Sequence, residues 1–133
     1  MKGGLSLSEK TIYKDLDKLE YNTDTLSFLR KKLDYFTIEI FLRICKANKK
    51  HKGILKTKLK DYHVQRKKYD TAFTILEAQG FIERREEGTS TPYFTTIRGT
   101  QLLQLLLHIE KDENVMEILN KINMETESEG ISI

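Results

Sequence analysis

Residues 59–99 read LKDYHVQRKKYDTAFTILEAQGFIERREEGTSTPYFTTIRG, and the order of signals in this stretch decides the fold class. Leu59 and Tyr62, with Ile54 and Leu55 just before them, mark a short helix. His63-Val64-Gln65 is a tight connection. Tyr69, Ala72, Phe73 and Leu76 then recur on one helical face, and Gly80 stands where a helix most readily ends in a left-handed residue. Phe81-Ile82-Glu83-Arg84-Arg85 reads as a strand, 87–91 as a loop and 92–97 as the returning strand. Pro92 opens that strand, where a missing N–H is tolerated. Thr96 or Arg98 starts another helix. Helix, turn, amphipathic helix, hairpin and helix together predict a mainly α chain with a small β-hairpin, an α+β fold.

Upstream, Ser6-Leu7-Ser8-Glu9 has capping-box spacing, and Ile12, Leu16 and Leu19 follow as one helical face that ends near Tyr21. Asn22-Thr23-Asp24 is turn chemistry that also caps the next helix. Leu26, Leu29 and Leu33 continue at helical spacing. Ile38, Phe41, Leu42 and Cys45 predict a strong helix over about 35–47, with Cys45 on its apolar stripe as a buried, inert thiol. Residues 48–53 form a basic loop. Downstream, Leu102, Leu103, Leu106 and Ile109 make a stripe, and Leu105 and Leu107 fall outside it. An interruption at 112–114 precedes Val115, Met116, Ile118, Leu119 and Ile122, and residues 125–133 read as frayed. So much leucine around one helix calls for more cover than a small domain supplies. The expectation is a second copy of the chain, held through Leu102, Leu103, Leu105, Leu106, Ile109, Met116 and Leu119. The alternative is cover by the N-terminal helices within one chain. The organisation expected is an N-terminal helical extension over 1–34, the helix–turn–helix–hairpin unit over 35–99, and a C-terminal dimerisation helix with an acidic tail over 100–133.

A net charge of +3 conceals an asymmetry. Residues 43–68 hold 11 Lys and Arg against one acid, Asp61, so this window carries +10 and the rest of the chain −7. From Glu110 onward there are seven acids and two lysines. A basic block beside an acidic tail fits a polyanion-binding face, although a solvated lysine-rich loop gives the same count. With 133 residues, 32% of them charged, and a single cysteine, the chain reads as one soluble domain without an intramolecular disulfide. Residues 1–10 lack a signal-peptide core, and no window approaches a membrane span. A cytoplasmic location without membrane contact is therefore expected.

Leu76-Glu77-Ala78-Gln79-Gly80-Phe81-Ile82, followed by Tyr93, Thr96, Gly99, Leu102 and Leu103, resembles a phrase of winged helix-turn-helix regulators. In them a recognition helix runs through leucine and glycine into a hairpin, which returns through an aromatic residue and a threonine to the next helix. The likeness covers about residues 35–109. It is broadly to the MarR/PadR/ArsR-type superfamily and its small archaeal relatives. It implies a winged helix-turn-helix with extra N-terminal helices and a Leu-rich C-terminal helix. It further implies double-stranded DNA as partner, read by a recognition helix over about 65–79. Such regulators often take a small-molecule effector, and this sequence identifies none.

The residues support that reading independently. With Tyr69, Phe73 and Leu76 turned inward, the opposite face shows Gln65, Arg66, Lys67, Lys68, Thr71 and Thr74. An α-helix fits the major groove and makes its base contacts mainly near its N-terminal end. Arg66 suits guanine edges, Gln65 adenine, and Thr71 a thymine methyl or a phosphate. Lys67 and Lys68 suit phosphates, with Lys56, Lys58 and Lys60 on the flanking backbone and the wider run of lysines over 46–60 in support. The hairpin tip carries glutamates, glycine and hydroxyls rather than cations, so it is the weaker reader. At most one of Arg84 and Arg85 faces DNA, and any contact of the tip is to phosphates through Thr89, Ser90 or Thr91.

His51, His63 and His108 lie far apart without cysteine neighbours, which removes metal-ligand spacing. No phosphate loop, nucleophile elbow or HExxH motif occurs, so neither a cofactor, a metal nor an enzymatic activity is expected. The leading expectation is a sequence-specific, homodimeric transcriptional regulator. Its rivals are an architectural, plasmid-partition or replication protein with little sequence preference, and a winged-helix interaction module that binds no DNA.

Overall fold

The computed structural model describes residues 18–128. The helix expected from Ser6 through Leu16 lies outside the described residues. Residues 18–22 are not helical, so no helix reaches Tyr21. Their polar backbone is satisfied by distant side chains. The Gln101 carboxamide donates to Tyr21 O and accepts from Tyr21 N, at 2.9 Å each, and Arg98 Nη1 donates to Leu19 O at 2.8 Å.

Helix α1 (Thr23–Arg30) starts at Asn22, whose side chain accepts from Thr25 N. Helix α2 (Tyr35–Lys49) starts at Asp34, whose carboxylate accepts from Thr37 N at 2.8 Å. Both caps satisfy an N–H that the first turn leaves without a partner. The segment 54–62 departs from the expected helix. Only a 3₁₀ turn (Lys56–Lys58) forms there, because Ile54 exchanges backbone hydrogen bonds with Tyr93 at 3.0 and 2.8 Å. Asp61, at φ +62°, then turns the chain toward the next helix.

Helix α3 (Arg66–Ala78) buries Tyr69, Ala72, Phe73 and Leu76. Gly80 follows at φ +82°. A side chain there would meet Arg98 Nε at 2.8 Å as well as the backbone penalty of the left-handed region. Strands β1 (Ile82–Arg84) and β2 (Tyr93–Thr95) pair antiparallel, with Ile82 opposite Thr95 and Arg84 opposite Tyr93. The loop between them is tighter than its composition suggests. Glu87 and Ser90 bridge, leaving Gly88 (φ +63°) and Thr89 as the tip.

Thr96 caps helix α4 (Ile97–Gln104), accepting from Gly99 N while donating to Gly80 O at 2.6 Å. Gly99 lies so close to the Phe81 carbonyl that any side chain there would collide with it. A π-helical turn (Leu105–Glu110) continues α4, with Lys111 N reaching back five residues to Leu106 O at 3.2 Å. Lys111, at φ +52°, ends it, and helix α5 (Glu113–Ser128) begins. The expected interruption is shorter than residues 112–114 and falls at 111–112, since Glu113 and Asn114 are already helical. Helix also continues through Ser128, past the start of the stretch expected to fray, and residues 129–133 lie outside the described residues.

One core cluster runs from Leu26 to Ile122, around Phe41, Phe73, Phe81 and Leu106. α2 lies at its centre and packs against α3, α5 and β2. This corrects the expected dimer surface. Leu102, Leu105 and Leu106 are buried in the chain's own core, so their side chains are not available to a partner. The wider π turn breaks the 3.6-residue period, which turns Leu105 inward and leaves Ile109 69% exposed. Leu103, Met116 and Leu119 are half-buried.

Candidate nucleic-acid interface

α3 differs from the helices before and after it. α1, α2 and α4 each carry a side-chain cap, whereas Gln65 at the head of α3 makes none. Three cations, Arg66, Lys67 and Lys68, follow in the first turn, with no acid there. Cations at the positive end of a helix dipole are unfavourable by a few tenths of a kcal/mol or more each, and free N–H groups there favour an anion. The turn before α3 is held rigid. Val64 N and Gln65 N both donate to Asp61 O, and the hydroxyl of Tyr69 donates to Lys60 O at 2.7 Å.

The outward half of α3 exposes Gln65, Arg66, Lys67, Lys68, Thr71 and Thr74, as its apolar spacing requires. Shallow grooves run on both sides. One is lined by Arg66, Lys67, Asp70, Thr71, Thr74 and Ile75, the other by Asp34, Phe36, Lys67, Lys68 and Ile75 among others. Lys68 Nζ lies 4.2 Å from the Phe36 ring centroid, a cation–π contact that leaves its outer side exposed. Lys58, Lys60 and Lys67 are exposed and form no ion pair among the described residues.

Other candidates are engaged. Lys56 pairs with Asp70 at 3.0 Å. Arg66, 73% exposed, lies 3.7 Å from the same carboxylate. The Lys56 ammonium and then the Tyr62 hydroxyl hold the Asp70 carboxyl below the usual carboxylate range. Arg84 is exposed but pairs with Glu77 on α3 at 3.1 Å. Arg85 points the other way and pairs with Glu83, so only Arg84 faces α3. Ser90 donates its hydroxyl to Glu87 O, and Thr89 is exposed at the tip. Lys46, which belongs to the basic run, is only 5% exposed. Its Nζ donates to Ile122 O at 2.9 Å and pins α5, so it does not belong to the surface.

Sequence reasoning overlooked Asp70 and Glu77, the two acids on the flank of α3. The Arg66–Asp70 spacing of four residues was the available signal. With them, the basic face resolves into a compensated flank (Lys56, Arg66 and Arg84 with Asp70 and Glu77) and an open stripe of Lys58, Lys60, Lys67 and Lys68 with Thr71 and Thr74.

Among the described residues no three His, Cys, Asp or Glu side chains gather as a metal site requires, and no helix is long and apolar enough to cross a membrane. Cys45 is buried, and burial pushes its thiol up to about 12. No protein-family model, curated protein or solved structure matches the chain.

Proposed function

We propose that the chain is a winged helix-turn-helix protein that binds double-stranded DNA as a sequence-specific transcriptional regulator, with α3 in the major groove. In this reading α2, the 3₁₀ turn (Lys56–Lys58) that stands where a short second helix was expected, and α3 make up the helical part of the motif, and the β1–β2 hairpin is the wing. The observation that carries it is the head of α3. An uncapped helix start bearing three cations, next to an exposed stripe of Lys67, Thr71 and Thr74, is arranged for phosphate and base edges.

Each group has a role. Lys58, Lys60, Lys67 and Lys68 neutralise phosphates and set the register. Gln65 reads adenine, Arg66 reads guanine O6 and N7, and Thr71 meets a thymine methyl or a phosphate. Thr89 at the tip, Ser90 at its base, and Arg84 on β1 add at most backbone contacts. Two copies related by a two-fold axis place their α3 helices about 34 Å apart on a pseudo-palindrome. With Leu102, Leu105 and Leu106 committed to the core, that pairing rests on Leu103, Ile109, Met116 and Leu119.

A second reading, a DNA-binding architectural, partition or replication protein, draws support from one feature. All four cations of the open stripe are lysines, which position a duplex without specifying its sequence. Fluorescence anisotropy with random and selected duplexes across a salt series separates the readings. A regulator shows strong preference for a selected palindrome, and Arg66→Ala erodes that preference. Equal affinity for every duplex with a steep salt dependence selects the architectural reading. Absence of binding at low salt refutes both and leaves a protein-interaction module.

A further inference from the structure

Asp70 is an acid on the face that the proposed function assigns to DNA. It lies on α3 one turn beyond Arg66, in the groove lined by Arg66, Lys67, Thr71, Thr74 and Ile75. Its two oxygens are used differently. Oδ1 takes the Lys56 ammonium at 3.0 Å and the Tyr62 hydroxyl at 2.9 Å. Among the described residues, Oδ2 has only Arg66 Nε nearby, at 3.7 Å, beyond hydrogen-bond distance. The carboxylate is therefore fixed in orientation through one oxygen and retains acceptor capacity at the other.

A carboxylate repels phosphate, so on a surface serving the DNA backbone alone it would only weaken binding. The major groove also presents donors, the N4 amino group of cytosine and the N6 amino group of adenine. An ionised carboxylate accepts and never donates. Adenine sets its N7 acceptor beside N6 and so meets the carboxylate with a like partial charge. Cytosine has no acceptor of its own there. Resting on the proposed DNA-binding role of α3, we propose that Asp70 is a specificity residue whose Oδ2 accepts from the N4 amino group of a cytosine. The bound site would then hold a C·G pair next to the one contacted by Arg66.

Selection from a randomised duplex library, with parent, Asp70→Asn and Lys56→Met proteins, tests this. The parent is expected to select a cytosine at one fixed position. Asp70→Asn shifts that position toward adenine, since a carboxamide pairs with adenine N6 and N7, and leaves the other positions unchanged. Lys56→Met removes the tie to Oδ1 and lowers affinity or stability without changing the base chosen. A second measurement needs no variant to fold. Replacing the selected cytosine by 2-pyrimidinone, which lacks the amino group, should weaken binding of the parent by about 5- to 100-fold. Unchanged base preference in Asp70→Asn, or indifference of the parent to 2-pyrimidinone, overturns the inference while leaving DNA binding by α3 intact. A parent that binds no duplex overturns the proposed function itself.

Discussion

Leu106→Ala probes the assignment of the Leu-rich segment to the chain's own core. Leu106 has 0% exposure and lies in the π-helical turn among the core side chains. Truncating such a leucine removes its transfer free energy and leaves a cavity, at a cost of about 2.7–5 kcal/mol in comparable cores. Taking about 3 kcal/mol, and an unfolding entropy of about 2.1 cal/mol/K per residue over 133 residues, Tm falls by about 11 °C. Urea melts of parent and variant at two protein concentrations well apart provide the assay. The difference between the two proteins should not change with concentration, because Leu106 is buried within its own chain. Ile109→Ser, at a 69% exposed position, should alter intrachain stability by about 0.5 kcal/mol or less. A loss under about 1 kcal/mol for Leu106→Ala, or a loss that grows on dilution, would refute the assignment and return Leu106 to an interface between copies.

Asp34 caps α2, and its hydrogen bonds with Thr37 hold its carboxyl below the ordinary value of 3.8. Asp34→Ala should cost about 1 kcal/mol at pH 7. A depressed folded-state pKa contributes stability above the unfolded value and loses it as pH falls through the folded one. The deficit of the variant should therefore close below about pH 4 in acid titrations of stability. Cys45, buried and with its thiol at about 12, should resist a thiol-reactive chromogenic disulfide at pH 8 in the native protein and react fully in urea. Rapid native labelling would contradict that burial. Lys67→Ala should reduce the slope of log affinity against log salt by about 0.9 for any duplex, the contribution of one phosphate contact. An unchanged slope would remove Lys67 from the interface.

Several elements are legible in the sequence because local signals agree with tertiary need. The apolar spacing of Tyr69, Phe73 and Leu76, with Gly80 beyond them, places α3 to within a residue or so, and Thr96 marks the start of α4. Other features depend on partners far along the chain. Ile54 reads as helical by neighbourhood, yet its backbone pairs with Tyr93, so the segment before α3 collapses to a single 3₁₀ turn. Leu19 and Tyr21 leave the helical pattern because Arg98 and Gln101 satisfy their backbone groups. The Leu-rich helix misleads because a fixed 3.6-residue period cannot represent a π turn, and one shifted residue exchanges the buried and exposed sides. Charge counting locates the basic face but cannot divide it. Lys46 pairs with a carbonyl of α5, and Asp70 and Glu77 occupy three other cations, all through side-chain geometry.

Contact between duplex DNA and α3, with the lysines before it, can be followed residue by residue. The nitrogen-15-labelled protein is titrated with a short duplex, and amide chemical shifts are recorded. Binding through α3 predicts that the largest changes fall on Lys58, Lys60 and residues 65–74, with smaller changes at Thr89 and little over α1. Changes that are absent, spread evenly over the chain, or centred on α1 and α5 would contradict it.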